Sequence, residues 1–296
     1  MVSIDTLDVS HLIGQKVGSS TILKELARGG MAIVFIAFQT TLKRQIAVKI
    51  LPKSILTSKT AELFQQEAEA AAILSHPNII PIYEVGETYE FLFFTMQLVQ
   101  GIALSKHLKL ARKNILPSKR TLPLKTTIGF INQILDALAH AHEFDIIHRD
   151  IKPDNVLIEK HTRRPIITDF GVAKVLRNEN KNNSLVQGTP LYMAPEQIIG
   201  PQTDGRTDIY AVGTMLFEML APVLPLPRFD SLESLLKRKV LNKKGIFLKR
   251  PSEVNPSLHR DMDQIVHKAL NYEPDQRYAN CREFSQSLQD YQSKHL

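Results

Sequence analysis

Two short stretches carry residue types that could move a phosphoryl group. His148-Arg149-Asp150-Ile151-Lys152-Pro153-Asp154-Asn155 is followed downstream by Asp169-Phe170-Gly171. Transfer to a hydroxyl needs a carboxylate to orient the hydroxyl or take its proton, a cation beside the phosphate, and oxygen ligands for a divalent metal. Asp150, Lys152, Asn155 and Asp169 supply those types in that order. A solvated polar loop uses the same residues, but rarely in this order with a second motif behind it. Asp169-Phe170-Gly171 alone would be an ordinary turn, whereas the preceding Ile166-Ile167 puts its carboxylate at a strand end.

Lys49 stands inside the apolar run Ala47-Val48-Lys49-Ile50. Burying its ammonium is costly unless anions compensate, and phosphate oxygens or a carboxylate would do so. Glu67, in Phe64-Gln65-Gln66-Glu67-Ala68, is a candidate, with Glu69 beside it on a helix face that solvent could equally claim. Leu26-Ala27-Arg28-Gly29-Gly30-Met31-Ala32-Ile33-Val34 reads as a turn between strands whose backbone N–H groups could approach phosphates closely.

The elements that must position these residues follow from periodicity. Short strands are expected at Ile22-Leu26, Ile33-Phe38, Arg44-Leu51, Ile82-Glu87 and Phe91-Leu98. One helix, Thr60 to Leu74, interrupts them and ends before His76-Pro77, where proline disfavours helix in the preceding residue. Beyond Gly101 the pattern turns helical: Leu124-Phe144 carries Ile128, Ile131, Ile134, Leu135 and Leu138 on one stripe, and Ile209-Leu220 is apolar enough for a buried central helix. Residues 1–19 read as a polar, flexible lead-in, and the run from Arg177 to Ser184 as a mobile loop.

Composition narrows the class. The 296 residues, 43% of them hydrophobic, suffice for a sizeable core, and no stretch approaches the roughly 18 apolar residues of a membrane span. With a single cysteine, Cys281, the chain can form no internal disulfide, and a cytoplasmic protein is expected. The net charge of +7 comes from basic residues spread along the chain, which reads as a solvated surface and not as a nucleic-acid footprint.

Together these motifs resemble the protein kinase superfamily and are most similar to bacterial serine/threonine kinases of the eukaryotic-like type, over about residues 20–291. The resemblance implies an α+β, bilobal fold: a small antiparallel-sheet lobe with one main helix at 20–99, and a larger, mostly helical lobe at 100–296. It implies ATP with Mg²⁺, Mn²⁺ being a substitute, and protein substrates. By motif, Lys49 contacts the nucleotide phosphates and pairs with Glu67, Asp150 orients the substrate hydroxyl, Lys152 steadies the γ-phosphate, and Asn155 and Asp169 hold the metal. Residues 26–34 close over the phosphates, Met96 is the gatekeeper, and the backbones of Gln97 and Val99 meet adenine between Leu26, Val34 and Ala47 on one side and Leu157 on the other.

The resemblance also implies a structural pair between Glu196 and Arg277, and support of the catalytic loop by Asp208. Arg149 is the residue that receives an activation-loop phosphate; Ser184 is the only hydroxyl side chain between Gly171 and Gly188, so it is the expected regulatory site. Lys152 and Thr189, which bridges Asp150 and Lys152 in the family, point to serine/threonine specificity. Neither a nucleic-acid partner nor a membrane segment within the chain is expected, and a homodimer through the smaller lobe is a family habit. The loop departs from the family pattern at Ala27 and Ala32, which replace the outer two glycines. A nucleotide-binding pseudokinase is the alternative those alanines support, and a small-molecule phosphotransferase of related fold is a second.

Overall fold

Alternation along the first strands decides which face of the sheet is core. Ile33, Phe35 and Ala37, Ile46, Val48 and Ile50, and Phe91 and Phe93 are all buried in one apolar cluster, so the residues between them project from the opposite face. Among the described residues the sheet has six antiparallel strands: β1 (Lys16–Val17), β2 (Ser20–Arg28), β3 (Ile33–Gln39), β4 (Arg44–Pro52), β5 (Ile82–Glu87) and β6 (Phe91–Gln97). They lie side by side in the order β1-β2-β3-β4-β6-β5. The structure, a computed structural model, describes residues 8–29, 32–53, 68, 72–170, 190–200 and 203–296. Gly30, Met31, Glu67, Gly171, Ser184, Thr189, most of the helix expected over Thr60 to Leu74 and the polar run from Arg177 to Ser184 lie outside them.

The described part of the lead-in expected over residues 1–19, residues 8–19, is ordered against this sheet instead. Ser10–Leu12 forms a 3₁₀ turn, β1 pairs with β2, and Val9, Leu12 and Val17 join the core cluster. Three well-spaced apolar residues suffice to dock a segment that looks polar on average, since each buried aliphatic side chain contributes about 1.5–3 kcal/mol.

The described residues fall into two compact units: those within 1–100 together with Phe170, and those within 101–169 and 188–296. In the second, β7 (Gly101–Ala103), β8 (Val156–Glu159) and β9 (Pro165–Ile167) make a small antiparallel sheet. Eight helices accompany it among the described residues: α1 (Leu104–Arg112), α2 (Leu124–Glu143), α3 (Pro195–Ile199), α4 (Arg206–Leu220), α5 (Leu232–Leu241), α6 (Pro251–Val254), α7 (Asp261–Ala269) and α8 (Cys281–His295). α4 is buried along nearly its whole length, as its apolar sequence requires. Its Gly213 lets α7 approach, because a Cβ there would stand 2.7 Å from that of Ala269.

The end of α2 aims the chain at the loop that carries Asp150. Ile146 N–H donates to Ala141 O and Asp145 N–H to His142 O, both at 3.0 Å, with Asp145 left-handed at φ +58°. This is a Schellman stop with aspartate where glycine is commoner, and it turns the chain directly into His148 to Asn155.

Candidate active site

The candidate residues divide between the two units. In the first unit, cross-strand pairing sets Ala27 opposite Val34, Val34 opposite Lys49, Ala47 opposite Met96 and Lys49 opposite Phe94. These residues share the sheet face that the apolar core does not use. Lys49 is only 9% exposed, and its ammonium lies 5.7 Å from the centre of the Phe94 ring. Leu26 is exposed on β2. Arg28, the last residue of β2, pairs with Glu25 at 2.8 Å. The turn beyond closes with Gly29 N–H donating to Ala32 O at 2.8 Å. Neither Ala27 nor Ala32 is among the left-handed residues, so neither alanine forces strained backbone where the family pattern has glycine. At the end of β6, Gln97 N–H is taken by Pro81 O at 3.2 Å, and Val99 lies just beyond the strand.

In the second unit the chemistry-bearing loop is fixed at almost every residue. Lys152 Nζ donates to Asp150 Oδ2 at 2.8 Å, and Asn155 Nδ2 donates to the same oxygen at 3.2 Å and to Asp150 O at 2.9 Å. Both side-chain bonds of Asn155 thus use its nitrogen, which leaves its amide oxygen turned away from Asp150. Asn155 O accepts from Thr168 N–H at 2.9 Å and Thr168 Oγ1 at 3.2 Å, so Asp169 stands one residue beyond a residue tied to Asn155. Asp169 itself is left-handed, at φ +63°. The Asn155 amide oxygen and the Asp169 carboxylate are hard oxygen donors, the kind a divalent cation such as Mg²⁺ takes. His148 ties the same two segments again: its Nδ1 accepts from Asp150 N–H at 3.2 Å while its Nε2 donates to Thr168 O at 2.9 Å.

Asp208, in the first turn of α4, is fully buried and carries this loop. Its Oδ1 accepts Arg149 N–H at 2.8 Å; its Oδ2 accepts His148 N–H at 2.9 Å and His142 Nε2 at 2.8 Å. Burial raises its pKa, but the His142 hydrogen bond, the charges of His142 and His148 and the His148 N–H outweigh that and hold it below the ordinary aspartate value. Arg149 is left-handed at φ +63°, which ordinarily costs about 1–2 kcal/mol. The two Asp208 bonds to the loop backbone and Gln197 Nε2, donating to Arg149 O at 2.9 Å, offset it. The Arg149 guanidinium reaches Thr203 Oγ1 at 3.2 Å and Ile147 O at 3.3 Å.

The expected pair forms: Arg277 donates to both oxygens of Glu196 at 2.7 Å, and also to the carbonyls of Asn271, Arg206 and Tyr272. Leu157 sits mid-β8 between Ala103 and Ile166. Sequence reasoning did not single out His142, Gln197 or Thr168. His142, in the last turn of α2, gave no signal beyond its helical position, because its partner Asp208 is distant in sequence.

A loop of this geometry, with a lysine on the separate sheet, defines a class. The protein kinase domain family matches residues 20–290, and the chain belongs to that family. Among its relatives, the serine/threonine-protein kinase PrkC of Bacillus subtilis is 33% identical over 282 residues, covering 94% of this chain and 41% of PrkC. The tyrosine-protein kinase MasK of Myxococcus xanthus is 32% identical over 298 residues, covering 95% of this chain and 44% of MasK. The chain therefore spans less than half the length of these curated relatives. Among solved structures, the PknI kinase domain of Mycobacterium tuberculosis is 25% identical with a TM-score of 0.75, covering 95% of this chain and 98% of that one. The α+β, bilobal kinase fold expected from the motifs is thereby shown.

Proposed function

We propose that the chain transfers the γ-phosphoryl group of Mg-ATP to serine or threonine hydroxyls of proteins. The observation that carries this reading is the Asp150 carboxylate held at 2.8 Å by Lys152 and braced by Asn155 on a backbone that Asp208 anchors. Asp150 orients the incoming hydroxyl and accepts its proton; the Lys152 ammonium sits where the moving phosphoryl group needs positive charge. Asn155 and Asp169 are the residues that would hold Mg²⁺, or Mn²⁺ as a substitute, which when bound neutralises phosphate charge. Lys49 meets the α- and β-phosphates and pairs with Glu67. Residues 26–34, Ala47, Met96, Gln97, Val99 and Leu157 form the nucleotide's surroundings.

Serine/threonine specificity rests on Lys152 and Thr189, and peptides carrying serine, threonine or tyrosine decide it. Ser184 is the regulatory phosphate site of this reading, with Arg149 its receiver. If Ser184→Ala keeps full activity and mass spectrometry finds no loop phosphopeptide, that part is withdrawn. A cytoplasmic chain with protein partners, no nucleic-acid partner and a homodimer through the smaller unit completes the reading. Among the described residues, no helix is long and apolar enough to cross a membrane. The test of activity is labelled ATP and Mg²⁺ with a generic basic protein, beside Lys49→Met. Label in chain and substrate is expected from the wild type alone, and its absence favours the pseudokinase.

A further inference from the structure

Lys239 lies on α5, far in sequence from the catalytic loop, and its burial is not that of a surface lysine. The sequence places it four residues after the buried Leu235, on the inward stripe of the helix, and it is 2% exposed. Its ammonium donates to Leu191 O at 2.6 Å and Met193 O at 2.5 Å and lies 4.9 Å from the centre of the Tyr210 ring. Among the described residues no carboxylate bonds it, and burial lowers its pKa far below the ordinary lysine value, Glu196 opposing the shift and Arg277 reinforcing it. A donor kept inside at that cost is there for the two carbonyls it binds.

Those carbonyls flank Tyr192, whose hydroxyl donates the other way, to Glu218, which also takes Arg112 at 2.9 Å. Residues 191–193 are therefore gripped from both sides. The grip passes onward: Ala194 N–H donates to Gln197 Oε1 at 2.9 Å, and Gln197 Nε2 holds Arg149 O, next to Asp150. A protein chain delivering a hydroxyl to Asp150 must lie against what borders that loop, whereas a nucleotide need not.

We infer that Lys239 is a positioning residue for the protein substrate, setting residues 191–193 through its two carbonyl bonds. This rests on the proposed kinase activity. Lys239→Met keeps the length of the side chain and removes both donors. It raises the KM for a peptide substrate about tenfold, the scale of two lost hydrogen bonds, and leaves the KM for ATP and substrate-free ATP hydrolysis within about twofold. A merely structural lesion would instead lower the active fraction, and with it kcat, leaving both KM values alone. Lys239→Gln, which keeps a shorter neutral donor, falls between wild type and Met.

An inactive wild type refutes the kinase reading and this inference with it; an active wild type with an unchanged peptide KM in whichever variant folds overturns the inference alone. Should neither variant fold, the isotope-labelled Lys239 Nζ resonance of the wild type takes the test. It shifts on adding peptide and not on adding an ATP analogue, and a resonance indifferent to peptide overturns the inference.

Discussion

Replacing Asp208 by asparagine keeps the shape of the side chain and breaks its logic. The carboxylate accepts three bonds, from Arg149 N–H, His148 N–H and His142 Nε2, at 2.8–2.9 Å and without solvent. Asparagine offers one acceptor oxygen and one amino group, so in either orientation a backbone N–H faces a donor. An orphaned buried N–H costs about 1–3 kcal/mol, and turning the remaining charge-assisted bonds into neutral ones costs about 1 kcal/mol each, for a total near ~3–5 kcal/mol. Denaturant unfolding of both chains measures that loss at neutral pH. Because the folded pKa of Asp208 lies below its unfolded value, the advantage of the wild type is present above about pH 4 and shrinks as the pH falls through the lower folded value. The same bonds fix the backbone on which Asp150 rides, so kcat falls about a hundredfold, the scale of an ångström-level misplacement. A variant within about 0.5 kcal/mol of wild type and within threefold in kcat would refute the reasoning.

Arg277→Ala removes both guanidinium bonds to Glu196 and those to the carbonyls of Asn271, Arg206 and Tyr272, and breaking so buried a pair lowers stability by about 3–5 kcal/mol in the same unfolding assay. Asp145→Val puts a β-branched residue at φ +58° in the stop of α2, costing about 1–2 kcal/mol without touching any side-chain bond of the catalytic loop. Asn155→Ala removes an oxygen donor and the brace on Asp150 together, so activity falls and the remainder needs more Mg²⁺, as a metal titration of the initial rate reads out.

How much of this was written in the sequence depended on the range of each interaction. The strand alternation around Lys49 and the apolar runs of α2 and α4 are local and were legible. Motif order pointed to Asp208 and to Glu196 with Arg277, each of which finds its partner far along the chain. Local patterns could not show contacts that are long-range or counter to residue type. The docking of Val9, Leu12 and Val17 was hidden in a polar average, and the grip of Lys239 on residues 191–193 in a residue type read as surface. The concern over Ala27 was drawn from a family habit, and the strand backbone removes its conformational basis.

The most direct measurement is label transfer from ATP to a protein by the wild type and by Asp150→Asn, which keeps the size of the side chain and removes its charge. The account predicts label on serine or threonine from the wild type and a loss of at least about a hundredfold in the variant, with nucleotide binding retained. Equal label from both chains would contradict it.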